Sequence, residues 1–315
     1  MANKSCKDLP DECWELIFNL LHQRHHSLLE SPSLSCKRFL SIANALRTHF
    51  KITDPTLVGP LSNLFNRFPR LNSLDFTAFR GGDLDRVIID VAENSNFDLI
   101  ETLNLSGTEL PLLGLKILGL RMKNLKVLNF SNLRTLGNVH LEVIADTMPC
   151  LEDLDMTFPL SGGSVTDRGI EVLSSKLKGM IVIAISGNEL LTDKSLIALS
   201  TNCVYLTHIH VLDCSLVTPF GIEFVLRNST NLSVLSVSEI DFGQLDDYSI
   251  RCARNLSDLT IYDSVVPDEY LHLLAKSSGI PLTGFTLSLE FQPMSSGGAV
   301  ILRFGKPKRR ENGKL

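Results

Sequence analysis

Residues 125–130 read LKVLNF and residues 151–156 read LEDLDM, one pattern, L-x-x-L-x-L, begun twice 26 residues apart. Outward from this pair the pattern recurs as LNSLDF at Leu71 and IETLNL at Ile100 on one side. On the other side it recurs as MIVIAI at Met180, LTHIHV at Leu206, LSVLSV at Leu232, LSDLTI at Leu256 and LTGFTL at Leu282. The nine copies start 29, 25, 26, 29, 26, 26, 24 and 26 residues apart, and all 27 consensus positions are apolar in a chain that is 44% hydrophobic. Composition does not produce that regularity. A period in the twenties marks a repeat array, and the two-residue spacing that closes each copy is that of a strand.

Between the copies the spacing turns helical. TDRGIEVLSS at Thr166, TDKSLIALS at Thr192 and TPFGIEFVLRN at Thr218 each open on a Thr, whose hydroxyl can accept from a free N–H of the first turn. Pro219 stands at the first helical position, where its missing donor is harmless, and Pro111 and Pro267 are expected to do the same. Ile222, Val225 and Leu226 give the apolar stripe of a helix. A unit of one strand and one helix cannot bury its own apolar face, so the units stack into one continuous core. The expected fold is α/β: a horseshoe of about nine strand–helix repeats with parallel strands on the concave face. The pattern resembles leucine-rich repeats over about residues 60–290, in the subclass with 26-residue units and a TD-x-G-hydrophobic turn. That family's Asn or Cys, three places after the last consensus residue, is present here only as Asn188 and Cys214. Phe79, Thr108, Leu133, Pro159, Ile240, Ser264 or Glu290 stand there in the other copies, so the turns after the strands are expected to be irregular.

Residues 8–50 break the repeat and read DLPDECWELIFNLLHQRHHSLLESPSLSCKRFLSIANALRTHF. Pro10 suits a helix start, with Asp11 and Glu12 near the positive end of the helix dipole. Cys13, Leu16, Ile17, Leu20 and Leu21 form an apolar stripe, which Trp14 and Phe18 widen to a second face. A short helix so apolar needs two surfaces to pack against, its own neighbours and a partner. Leu9-Pro10-x-Glu12, Ile17-Phe18, Leu21 and Leu34-x-Cys36-Lys37-Arg38-Phe39 resemble the F-box, and with repeats following, the chain is similar to plant F-box/leucine-rich-repeat proteins. The resemblance implies that Leu9, Pro10, Trp14, Ile17, Phe18, Leu21, Leu34, Cys36 and Phe39 make or support a contact with a Skp-type linker, and through it with a cullin. It divides the chain into an F-box at 1–50, a linker and repeat cap at 51–70, repeats at 71–304 and a basic flexible tail at 305–315. The function it implies is that of a non-catalytic adaptor of an SCF-type E3 ubiquitin ligase, holding a protein target for ubiquitination and degradation. Two other readings stay open: a leucine-rich-repeat scaffold whose N-terminal module only caps the array, and a small-molecule receptor of the same family.

Along each strand the side chains at the third, fifth and seventh places of each copy point away from the core. Of those 27 positions none is Lys or Arg, which argues against a polyphosphate or nucleic-acid partner on the concave face. Asp75, Asp153 and Asp155 favour a basic or hydrogen-bond-donating target, and His208 and His210 share their face. Phe79, Phe158 and Tyr262 are candidate anchors, because aromatic side chains dominate binding hot spots.

The remaining features are bland. A net charge of -5 over 315 residues does not suggest nucleic acid. Seven dispersed cysteines without a C-x-x-C pair read as reduced thiols, and no apolar run reaches a membrane span or a secretory h-region. Cytoplasm or nucleus is the expected compartment, with the basic residues after Gly305 as a candidate nuclear signal. SGGS at Ser161 and SSGG at Ser295 lack the G-K-[ST] of a phosphate loop, and His22, His25 and His26 lack companion ligands. No cofactor, metal, membrane or catalytic role is expected.

Overall fold

The computed structural model describes residues 9–24, 26–53, 66–77, 79, 84, 86, 88–89, 97–109, 112–160, 164–267 and 284–288. Ten described strands form one parallel sheet in chain order: β1 His49–Lys51, β2 Ser73–Asp75, β3 Thr102–Asn104, β4 Val127–Asn129 and β5 Asp153–Asp155. It continues through β6 Val182–Ala184, β7 His208–Val211, β8 Val234–Ser238, β9 Asp258–Tyr262 and β10 Gly284–Ser288. The central consensus residue of every copy lies in register with the next, from Leu74 and Leu103 through Leu128, Leu154, Ile183, Ile209 and Leu235 to Leu259.

An N-terminal module holds α1 Asp11–Arg24, α2 Glu30–Ser35 and α3 Lys37–Ala45. In the solenoid each strand from β3 to β8 leads into a helix: α4 Leu112–Arg121, α5 Asn138–Thr147, α6 Asp167–Lys176, α7 Asp193–Asn202, α8 Pro219–Asn228 and α9 Asp247–Cys252. These six helices pack in series. Strands sit about 4.8 Å apart and helices 8–10 Å apart, so a stack with one of each per unit must curve with its strands inside. The chain is an α/β solenoid, and its core is the row of consensus side chains between the two layers. Leu103, Leu128, Leu154, Ile183 and Ile209 are all fully buried, each worth about 1.5–3 kcal/mol before entropy.

The turn that leaves each strand corrects the expectation of irregularity. In seven successive units the residue seven places after the first consensus position has a positive φ: Gly107, Asn132, Phe158, Gly187, Asp213, Glu239 and Asp263. Beside it, the position expected to hold Asn or Cys is buried in five of these units whatever its chemistry, at Thr108, Leu133, Asn188, Cys214 and Ile240, and part-buried at Pro159 and Ser264. Asn188 Nδ2 reaches the carbonyls of Met156 and Ile185 at 3.0 and 2.8 Å, Thr108 Oγ1 reaches that of Leu105 at 2.6 Å, and Leu133, Cys214 and Ile240 fill the space with carbon or sulfur.

Helix starts follow the expectation in two places and depart from it in one. Thr192 and Thr218 accept from the N–H groups of Lys194 and Phe220, but Thr166 caps nothing in its own helix. Its hydroxyl accepts from Asn138 Nδ2 of the preceding unit at 2.9 Å instead, while its own N–H donates to Asn138 Oδ1. The next two units repeat this cross-link with a carboxylate. Asp167 accepts from the N–H and hydroxyl of Thr192, and Asp193 from those of Thr218.

Two boundaries shift. β1 pairs with β2, so the sheet begins at His49, inside the span assigned to the N-terminal module and ahead of the expected linker. The module has an apolar cluster of its own, Phe18, Leu29, Ile42 and Ala43, separate from the solenoid core, whose first layer is closed by Ile52 and Phe68. Pro32 lies in the first turn of α2, where the absent N–H has no helical acceptor to lose. Pro111, Glu290, His25, the turns at residues 161–163 and 295–298, and the basic tail at 305–315 lie outside the described residues.

Candidate functional site

Two surfaces stand out. The first belongs to α1, where helical spacing separates an inner from an outer stripe. Trp14, Phe18 and Leu21 turn inward onto Phe39, with ring centroids 4.6 Å apart for Trp14–Phe39 and 5.3 Å for Phe18–Phe39. Leu16, Ile17 and Leu20 turn outward, 67%, 38% and 63% exposed, and Leu34 at the end of α2 is 86% exposed. Of the nine residues implied by the F-box resemblance, Leu9, Pro10, Ile17, Leu34 and Cys36 lie at the surface. Phe18 does not: its burial makes it the centre of the module's core, with Trp14, Leu21 and Phe39 half-buried around it. These four can support a contact without making one. Leu16 and Leu20 were visible on the apolar stripe and belong with the surface set. Cys36 also accepts from Phe39 N–H at 3.4 Å as the cap of α3, and Arg38 ties the two ends of the module through Asp11 Oδ1 and the Leu9 carbonyl.

The second surface is the inner face of the sheet. In four consecutive strands its middle column ends in a local turn, the side chain accepting from the N–H two residues on: Asp75 from Thr77, Asn104 from Ser106, Asn129 from Ser131 and Asp155 from Thr157. Such Asx turns satisfy the strand end, and from β6 onward Ala184, His210, Ser236 and Thr260 replace them. The three acidic candidates therefore differ. Asp75 is buried and corrected out of the target-binding set, because β1 brings Lys51 Nζ within 3.5 Å of it and His49 Nε2 within 3.9 Å. Burial alone would push its carboxyl up, but the Thr77 hydrogen bonds and Lys51 outweigh that and hold it below the usual value. Lys51 also corrects the expectation of a cation-free inner face at the sheet's first edge. Asp155 accepts from Asn129 Nδ2 at 3.1 Å as well as from the N–H and hydroxyl of Thr157. The Asp153 carboxylate has no hydrogen-bond or ion-pair partner among the described residues, and burial together with the nearby Asp155 charge raises its pKa above the usual value, against a smaller pull from His208.

His208 and His210 sit two strands away, across Val182 and Ala184. His208 Nδ1 lies 2.7 Å from Thr207 Oγ1 and His210 Nδ1 2.8 Å from Ser236 Oγ. Burial and the neighbouring His208 lower the pKa of His210, and Asp155 opposes them. Of the aromatic candidates, Phe79 is corrected: it is buried in the solenoid core and presents nothing to a partner. Tyr262 is half-buried at the end of β9. Phe158 is 43% exposed and holds φ 52°, a conformation that costs an L-residue about 1–2 kcal/mol.

No protein-family model matches the chain, and no curated protein matches it significantly. Among solved structures it is similar to an internalin C2 from Listeria monocytogenes, with 16% identity, 74% of this chain and 90% of that chain covered, and a TM-score of 0.46. It is also similar to Rad7 in the Rad7–Elc1 complex of yeast, with 15% identity, 87% of each chain covered and a TM-score of 0.48. For TLR13 in its complex with ssRNA13 the identity is 17%, the coverage 73% of this chain and 35% of that one, and the TM-score 0.49. None reaches 0.5, so they carry no functional argument here.

Among the described residues no group of three or more His, Cys, Asp or Glu is placed to share a metal. The thiols of Cys203 and Cys214 are pushed up to about 11, by burial foremost. No described helix is long and apolar enough to cross a membrane. What the sequence reading missed is the row of positive-φ residues, although its signal was present: Gly, Asn or Asp occupies it at residues 107, 132, 187, 213 and 263, and these types tolerate the left-handed region best.

Proposed function

We propose that this chain is a non-catalytic adaptor in which the N-terminal module docks on a Skp-type linker of a cullin ubiquitin ligase and the solenoid's inner face holds a protein target. The observation that carries the reading is the division of α1. Its inner stripe completes a core that belongs to the module alone, so the outer stripe of Leu16, Ile17 and Leu20 has no call from the solenoid core and stays in solvent. A helix that exposes three large apolar side chains beside a finished core is dressed for a partner, and the F-box resemblance in the same residues names the partner's class. Target ubiquitination and residence in cytoplasm or nucleus follow from that role.

The test is co-expression of the full chain with a Skp-type linker, followed by size exclusion. Phe18→Asp would destroy the module's core and report only misfolding, so the informative variant is Ile17→Asp combined with Leu20→Asp, both at exposed positions. A co-eluting complex that this variant abolishes, with its thermal transition unchanged, is the expected result. If the wild-type chain elutes alone at micromolar concentration, the ligase role falls and a plain interaction scaffold remains.

A further inference from the structure

Strands β5, β6 and β7 carry two features side by side. On the inner face, Asp153 and Asp155 stand two residues apart, and the β6 positions in register with them are Val182 and Ala184, so neither carboxylate meets a cation there. Asp75 has Lys51 and Glu101 has Lys126, yet among the described residues the Asp153 carboxylate has no hydrogen bond or ion pair and feels only a small pull from His208. Where the same strands end, an apolar rim begins. Phe158 and Leu160 follow β5, and Leu190 and Leu216, each ten places after the first consensus residue of its own unit, lie in the turns after β6 and β7; all four are exposed.

Phe158 ties the two features together. It occupies the left-handed position that Gly, Asn or Asp fills in five of the seven units. The adjoining Gly187 makes room for it, since a Cβ there would stand 2.6 Å from Phe158 Cδ1. A bulky, exposed aromatic held at a costly φ does nothing for the fold that Asn132 does not do in the preceding unit. Strain of this kind concentrates where a surface is used.

We propose that this patch is the docking centre for an extended, cationic peptide segment of the protein target. A Lys or Arg of the segment sits over Asp153 and Asp155, and a large apolar side chain lies against Phe158 and Leu160. From Asp153 to the rim is roughly 15 Å at about 3.3 Å per strand residue, so an extended segment carries the two groups four or five residues apart. The inference rests on the solenoid half of the proposed function, that the strand face holds a protein target, and is independent of the ligase half.

The probe is a random twelve-residue peptide library displayed on phage and selected on the immobilised full chain; the winners are then synthesised with a fluorophore and measured by anisotropy. The expected winners are rich in Lys or Arg, with Leu or an aromatic four or five residues away, and their binding weakens as salt rises. Asp153→Asn and Phe158→Asn should each weaken binding tenfold or more. Phe158→Asn keeps a residue type suited to the backbone, so an unchanged thermal transition separates lost contact from lost fold. Leu113→Ala, on the outer face of α4, should change nothing. Winners that are acidic or uncharged, binding that survives both strand-face substitutions, or no enrichment over a blank surface would each overturn the proposal. Linker binding by size exclusion is scored separately, so peptide binding without linker binding removes only the ligase role, and the converse removes only this one.

Discussion

At Gly187 the backbone holds φ 74°, and an added Cβ would stand 3.0 Å from Phe158 Cα as well as against its ring. Gly107 holds the same repeat position at φ 69°, with nothing within 4 Å of the Cβ it lacks. The pair separates two reasons for one residue type. Gly107→Ala meets only the left-handed penalty, about 1 kcal/mol. Gly187→Ala meets that penalty and must also move the backbone of the neighbouring turn, which raises the cost to about 2–3 kcal/mol. Urea midpoints of the two variants should therefore fall in that order, and equal shifts would mean that the neighbouring turn yields freely. Peptide binding should separate them too, because only Gly187→Ala displaces Phe158.

Between elements, the unit of construction is a hydrogen-bonded link from the first turn of one helix to the cap of the next. Asp167 is the fullest example, accepting from Thr192 N–H at 2.9 Å, Thr192 Oγ1 at 2.7 Å and Ser195 Oγ at 2.6 Å. Burial alone would raise its carboxyl, but the Ser195 and Thr192 hydrogen bonds outweigh it and hold the pKa below the usual value. Asp167→Ala should cost about 2 kcal/mol, the worth of hydrogen bonds to a charged acceptor at a part-exposed site. Because the folded pKa is depressed, this contribution is complete above the ordinary carboxylate range and fades as pH falls through the folded value. Urea titrations of wild type and variant should differ at pH 7 and draw together as pH falls below the ordinary carboxylate range. The consensus strands, their register and the helix starts at Thr192 and Thr218 were legible in the sequence, because L-x-x-L-x-L and those two capping hydroxyls report on their own unit. The links were not, since Asp167 and Asn138 act on residues 25 and 28 places away in the next unit. The same limit hid the neutralisation of Asp75, which depends on β1, a three-residue strand without the consensus. Phe79 misled for a related reason: an aromatic after a strand reads alike whether the turn points it out or in.

Across the whole molecule the apolar residues divide into two bodies, a solenoid core that runs through the repeats and the small cluster around Phe18. Among the described residues an ion pair reaches from one to the other, Arg70 to Glu15 at 3.6 Å, but it is half exposed and contributes little. In a solenoid each unit couples mainly to its neighbours, so damage in the module should not travel far. Phe18→Ala removes the largest side chain of the smaller core at a cost of about 3–5 kcal/mol, more than a cluster of four buried residues has in reserve. Hydrogen exchange should then show α1, α2 and α3 losing protection while β3 to β8 keep theirs, with linker binding abolished and peptide binding intact. Ile17→Asp with Leu20→Asp should abolish linker binding with protection kept everywhere, because those side chains are already in water. If Phe18→Ala instead strips protection from β3 and β4 as well, the module is the solenoid's cap in energetic terms, and its outer stripe must be read as part of one cooperative fold.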